Sequence, residues 1–306
     1  MKQALLPLLL CISFTQTFGQ SDINGLIVVG NTTRSYIIHL PGGYSDQQKL
    51  PLVFIFHGGG GNAKQMQRYM GMDPITDKEQ FITVYPQGIN KQWNDGREFD
   101  QKIASNDDLL FINQLLDTLI KNYAINTKRV FSTGISNGGF FSIFLSYKMS
   151  QRLLAVAPVC ASIPKKIYDE FYPSDPVSLL LISGTSDPLV PFNGGNIGNA
   201  LTGSRGACTS ADETITRYIS VDKTNKNAVT TNIPNTNKTD GCTAIQYEYN
   251  SGQSGSRVVF IKIINGGHTL PGGAQYLPKL VVGRVCRDFD ANLTIWQFFS
   301  SCPDRL

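Results

Sequence analysis

Three histidines in 306 residues leave this chain little material for histidine-based metal chemistry. Neither HExxH nor CxxC occurs, so no ligand set of ordinary spacing is present and no metal or cofactor is expected. Charge is scarce too. Only 16% of residues are charged, and the net +4 is spread out without a Lys/Arg block, which argues against nucleic acid as a partner. The four glycines at 58–61 are followed by no Lys-Ser/Thr pair, which excludes a phosphate-binding P-loop. There is no internal repeat, no low-complexity linker and no apolar run, the N-terminal one included, long enough to cross a bilayer. Nothing points to an obligate protein partner or to membrane association.

What is present begins with an export signal. Lys2 precedes the mostly apolar stretch 4–14, and Thr17-Phe18-Gly19 ends on a small residue. A signal peptide over 1–19 is expected, with cleavage near Gly19/Gln20 and a secreted product, extracellular or periplasmic, over 20–306. A lipoprotein signal at Cys11 is disfavoured by the bulky Leu10 before it. Export leaves Cys160, Cys208, Cys242, Cys286 and Cys302, an odd number in an oxidising compartment. The natural local pairs are Cys208 with Cys242 and Cys286 with Cys302, leaving Cys160 buried and unpaired at the end of an apolar run. Sequons at Asn31, Asn237 and Asn292 matter only in a eukaryote.

The 41% apolar content supports a sizeable core. Residues 27–29 and 35–40 flank the Gly30-Asn31 turn signal as an opening hairpin. Continuous apolar runs at 51–56 and 81–85, then at 153–159, 178–182 and 258–264, read as strands buried on both faces. Helical stripes occupy 108–123, with Asn106 or Asp107 as cap, and 293–299, where Trp296 is core. Strands alternating with helices predict a single doubly wound, mostly parallel α/β domain. The stretch 193–240, rich in Asn, Thr, Gly and Lys, reads as a polar excursion with a helix near 211–221, too poor in apolar residues to be a domain.

Gly134-Ile135-Ser136-Asn137-Gly138-Gly139 stands between a strand pattern and a helical one, the setting of a nucleophile elbow. Ser136 then needs an acid and a histidine, in that chain order. His39 lies within an early strand, where a structural role is expected, and His57 opens the glycine run and braces it. His268, in Asn265-Gly266-Gly267-His268-Thr269, follows the last core strand and is the expected base. Asp187 leaves a core strand between the two and is the expected acid; Asp175, Asp212 and Asp222 lack such a strand. Backbone N–H groups of Gly59 and Asn137 are the expected oxyanion donors. Trp93, in the polar stretch 90–97, is the expected substrate platform, with Phe192 and Leu270 lining the same mouth.

With these pieces in place the chain resembles the extracellular α/β-hydrolases grouped as polyhydroxybutyrate depolymerase-like, feruloyl and acetylxylan esterases. The resemblance runs from about Thr33 to the C-terminus, through Leu40-Pro41-Gly42-Gly43-Tyr44, the HGGGGN loop at 57–62, Tyr85-Pro86-Gln87-Gly88, the elbow and the GGHT loop. It implies the α/β-hydrolase fold, Ser136, Asp187 and His268 as a triad, a Cys208–Cys242 bridge and a carboxylic-ester substrate, polymeric in character. Where family members carry an aromatic just after the histidine, this chain has Leu270. Two other readings stay open: a serine peptidase of the same fold, and a non-catalytic carbohydrate-binding descendant.

Overall fold

The computed structural model describes residues 21–97, 100–198 and 203–304; the leader expected over 1–19 lies outside the described residues. In chain order the strands are β1 (Ser21–Val29), β2 (Thr32–Leu40), β3 (Leu50–Phe56), β4 (Ile82–Pro86), β5 (Ile125–Ile135), β6 (Ala155–Val159), β7 (Ser178–Gly184), β8 (Gly195–Asn196), β9 (Ala207–Cys208), β10 (Val229–Ile233), β11 (Thr243–Tyr249) and β12 (Val258–Ile264). Ten of them form one sheet in the order β1-β2-β4-β3-β5-β6-β7-β12-β11-β10. The six central strands, β4 to β12 in that order, pair in parallel. The flanking pairs are antiparallel.

The apolar runs become central strands because both of their faces are covered. In β3, Leu52, Phe54 and Phe56 enter one core, while Val53 and Ile55 enter the other, all of them fully buried. Helices Asp108–Asn122, Asn137–Lys148 and Ala211–Asp222 cover the first face, supplying Phe111, Phe141 and Tyr218. Helices Ala63–Met70 and Ala291–Ser300 cover the second, and there Trp296 stacks on Phe81 at 3.8 Å, in the core as expected. Asp107 and Asp290 cap their helices, and Ser210 with Glu213 forms a capping box.

The polar excursion does contain its helix, but it also returns to the sheet. Strand β10 adds antiparallel to β11 as an edge with exposed side chains, which is why no apolar run announces it. The expected cysteine pairs are corrected: all five described cysteines are buried free thiols. Cys208 belongs to the core on one face of the sheet and Cys242 to the core on the other. Cys242 instead lies near Cys286, whose thiol burial pushes up to about 12, with carboxylates and Cys242 adding to the rise. Cys302 sits elsewhere, its thiol against the Phe298 carbonyl of the last helix.

His39 is structural, as its place in a strand suggests. Its Nδ1 meets Asp22 Oδ1 at 2.8 Å and its Nε2 meets Asp77 Oδ1 at 3.3 Å, with Asp73 Oδ2 at 3.8 Å. Lys64 and Gln67 also donate to Asp22, and Tyr85 to Asp73. Burial works against the imidazolium, but the Asp22 hydrogen bond and the Asp73 and Asp77 charges prevail and raise its pKa. A raised histidine stabilises the fold fully below its unfolded pKa and loses that effect as pH rises through the folded one. We therefore expect His39→Gln to lower Tm by several degrees at pH 6 and by clearly less at pH 9. Thermal melts at the two pH values check it, and equal losses would mean that the cluster holds a neutral imidazole.

Candidate active site

Strand β5 runs straight into Ser136, which sits at φ 56°, ψ −124° before the helix Asn137–Lys148 begins. So tight a turn leaves no room for a side chain two residues before or after the serine. A Cβ on Gly138 would come 2.2 Å from the Phe56 carbonyl oxygen, and one on Gly134 would come 2.7 Å from Gly138 and Phe56. The strained serine is held at both ends, its N–H donating to the Val159 carbonyl at 2.9 Å and its carbonyl accepting from the Phe140 N–H at 2.8 Å.

The acid and histidine loops leave adjacent strands, β7 and β12, and are stitched together. The Thr185 N–H donates to the Ile263 carbonyl and the Ser186 N–H to the Gly266 carbonyl, each at 2.9 Å. Asp187 Oδ1 accepts the N–H groups of Leu189 and Val190 at 2.8 and 2.9 Å, and Oδ2 faces His268 Nδ1 at 2.7 Å. Both side chains are buried. The Cys160 thiol packs against the Gly267 and Thr269 carbonyls and hydrogen-bonds Asp187 as well. The cluster Cys160, Asp187 and His268 gathers its polar atoms within 4.8 Å, the spacing of a metal ligand set, but the Asp187 oxygens are already committed to two backbone donors and the imidazole.

The glycine loop is braced by His57, whose Nδ1 donates to the Gly58 carbonyl at 2.8 Å while Nε2 accepts the Gly88 N–H at 3.0 Å. Burial lowers its pKa to about 4, so it is neutral at pH 7 and serves as a fixed strut. Gly58 lies against the elbow, where a Cβ would stand 3.7 Å from the Ser136 Cβ. Asn137 ties the 93–95 segment to the elbow: its side chain accepts the Trp93 N–H at 2.8 Å and donates to the Trp93 carbonyl at 3.0 Å and to Asp95 at 2.7 Å.

Trp93 is therefore not a substrate platform. It is wholly buried, stacked on Phe141 at 5.0 Å, with its indole N–H donating to the His57 carbonyl at 2.9 Å. The polar residues around it, Asp95 and Arg97, form a buried ion pair at 2.7 Å instead of a solvated face. Leu270 is corrected likewise. Its side chain is buried in the second core, and only its N–H turns toward the site, donating to the Tyr69 hydroxyl at 3.2 Å. Phe192 packs on Phe260 beneath Lys262 and does not line the cavity.

Ser136, His268, Gly58 and Gly59 open onto a cavity of about 500 Å³ walled by Met66, Tyr69, Leu189, Tyr276 and Leu277, with Arg205 at one side. Tyr69 and Tyr276 meet edge to face at 5.4 Å, and the Tyr276 hydroxyl donates to the His268 carbonyl at 3.2 Å. Sequence reading missed both tyrosines. The available signal was position, since each stands a few residues downstream of a glycine-rich loop on the site.

A family model described as "Putative esterase" matches residues 29–176. Over 283 residues the chain is 28% identical to "Putative esterase NocK" of Nocardia uniformis subsp. tsuyamanensis, covering 89% of this chain and 80% of that one. It is also 28% identical over 205 residues to "Probable feruloyl esterase C" of Aspergillus terreus, with 65% and 68% of the two chains covered. Among solved structures, an acetyl xylan esterase from Aspergillus awamori superposes with a TM-score of 0.55 at 14% identity, over 78% of this chain and 90% of that one, a likeness of fold. The chain is a carboxylic ester hydrolase of the α/β-hydrolase fold, similar to feruloyl and acetylxylan esterases.

Proposed function

We propose that this protein is a secreted serine esterase that removes acyl groups from polysaccharide. The observation that carries it is the Asp187–His268 pair at 2.7 Å opening onto the same cavity as the strained Ser136. His268 takes the Ser136 proton, Ser136 attacks the ester carbonyl, and the N–H groups of Gly59 and Asn137 bind the oxyanion. His268 then protonates the leaving alcohol and activates water against the acyl-enzyme. Two tyrosine rings beside an apolar wall suit a flat acyl group such as a hydroxycinnamoyl, and the relatives named as feruloyl and acetylxylan esterases support the same substrate class. The leader over 1–19 and the catalytic domain over 20–306 belong to this reading.

A fluorophosphonate probe tests the chemistry and a substrate panel tests the class. Mass mapping is expected to place the label on Ser136, with hydrolysis of methyl ferulate or acetylated xylan outpacing that of polyhydroxybutyrate. Labelling of another residue, or hydrolysis of no ester, would overturn the reading. Preference for polyhydroxybutyrate would keep the mechanism and replace the substrate.

A further inference from the structure

Arg205 stands where the apolar cavity gives way to a polar one. It lines the catalytic cavity and also a neighbouring pocket of about 440 Å³ bordered by Asn90, Gln92, Asp100, Lys102 and Ser204. Its guanidinium lies against the oxyanion loop: a Cβ on Gly59 would meet Arg205 Nη1 at 3.1 Å and Gln92 Oε1 at 2.9 Å. The lack of a side chain at Gly59 thus leaves room for this cation and this amide beside the reacting centre.

The placement is anchored. The Arg205 N–H donates to the Ile197 carbonyl at 2.9 Å, and its carbonyl accepts from Arg97 Nη1 at 3.1 Å. Arg97 is paired with Asp95, which in turn accepts from the Asn137 side chain, so the Arg205 backbone is chained to the elbow. Among the described residues no carboxylate stands within ion-pair distance of the Arg205 guanidinium. Asp100, the acid of the polar pocket, already accepts the Lys102 N–H at 2.8 Å as a helix cap, and the Lys102 ammonium adds a second positive charge.

Gln92 supplies an independent observation. Its Oε1 is buried and accepts no hydrogen bond, a costly state unless a ligand donor completes it. A guanidinium and an unfilled carbonyl acceptor side by side match a carboxylate and a hydroxyl on one sugar ring.

Building on the serine-esterase reading, we propose that Arg205 and Gln92 form a subsite for a uronic-acid residue next to the acylated sugar. The enzyme then prefers acyl esters on acidic polysaccharide. Arg205 holds the uronate carboxylate, Gln92 Oε1 accepts a ring hydroxyl, and the ester is delivered to Ser136 through the adjoining apolar cavity.

Binding and turnover test this separately. With the Ser136→Ala protein, calorimetric titration compares a glucuronic-acid-substituted xylotetraose with plain xylotetraose. The acidic sugar is expected to bind roughly tenfold more tightly, the scale of one charge-assisted hydrogen bond, and to lose that advantage in high salt. With active protein, the kcat/KM ratio for acetylated acidic over acetylated neutral oligosaccharide is expected to fall about tenfold in Arg205→Gln, through KM, and to recover partly in Arg205→Lys. Equal affinity for the two sugars, or a uniform loss on both esters, would overturn the subsite. Failure of the unmutated protein to hydrolyse 4-nitrophenyl acetate would overturn the esterase reading instead, leaving the binding result to decide the subsite.

Discussion

Ser136→Ala is expected to lower kcat on 4-nitrophenyl acetate by about 10⁵ to 10⁶, with no change in Tm beyond a degree or two. The first half follows from the proposed covalent catalysis. Without the hydroxyl there is no acyl-enzyme, and His268 has no proton to take from a nucleophile. The oxyanion donors and the cavity stay in place, so a small rate above water survives. The second half follows from the local structure. The Ser136 side chain makes no capping hydrogen bond to its helix, and the turn is held by backbone bonds to Val159 and Phe140 that alanine keeps. Alanine meets the same positive φ as serine, so the backbone strain is shared by both proteins. Steady-state kinetics together with a melt decide it. Retained activity with an unchanged melt would place the nucleophile elsewhere, and a collapsed melt would mean that the hydroxyl supports the elbow.

The loops around this serine were legible because they need glycine. At Gly134, Gly138, Gly184 and Gly267, a Cβ would come within 2.7 Å of another backbone segment, so geometry writes itself into composition there. The central strands were legible for a similar reason, since burial on both faces demands an unbroken apolar run, as in β3, β7 and β12. The wall of the cavity was not legible. Trp93 sits among polar neighbours in the chain, yet Asp95, Arg97 and Asn137 are themselves buried and satisfy one another, so local polarity misreported depth. Tyr69 and Tyr276 come from distant segments and meet only because the glycine loop and the histidine loop converge at one end of the sheet. The Cys208–Cys242 pair failed for want of the same information, because nearness in sequence says nothing about which face of the sheet each thiol enters.

Asp187→Asn carries the other large effect, a fall in kcat of about 10⁴ with the fold preserved. The two carboxylate oxygens of Asp187 have different partners, and this settles how asparagine must sit. Oδ1 accepts two backbone N–H groups, from Leu189 and Val190, and cannot be replaced there by an NH₂ without opposing donor to donor. The amide oxygen therefore keeps that place, and the NH₂ is forced to the position of Oδ2, facing His268 Nδ1. A donor there requires Nδ1 to accept, which moves the ring proton to Nε2 and leaves the imidazole unable to take a proton from Ser136. The substitution thus acts by imposing a tautomer as well as by removing a charge. Asp187→Ala, which imposes no tautomer, is expected to retain more activity than Asp187→Asn despite its larger change in volume. Measuring kcat for the two variants side by side checks the argument. If alanine proves equally or more damaging, the charge of Asp187, or its anchoring of the acid loop, outweighs its control of the histidine proton.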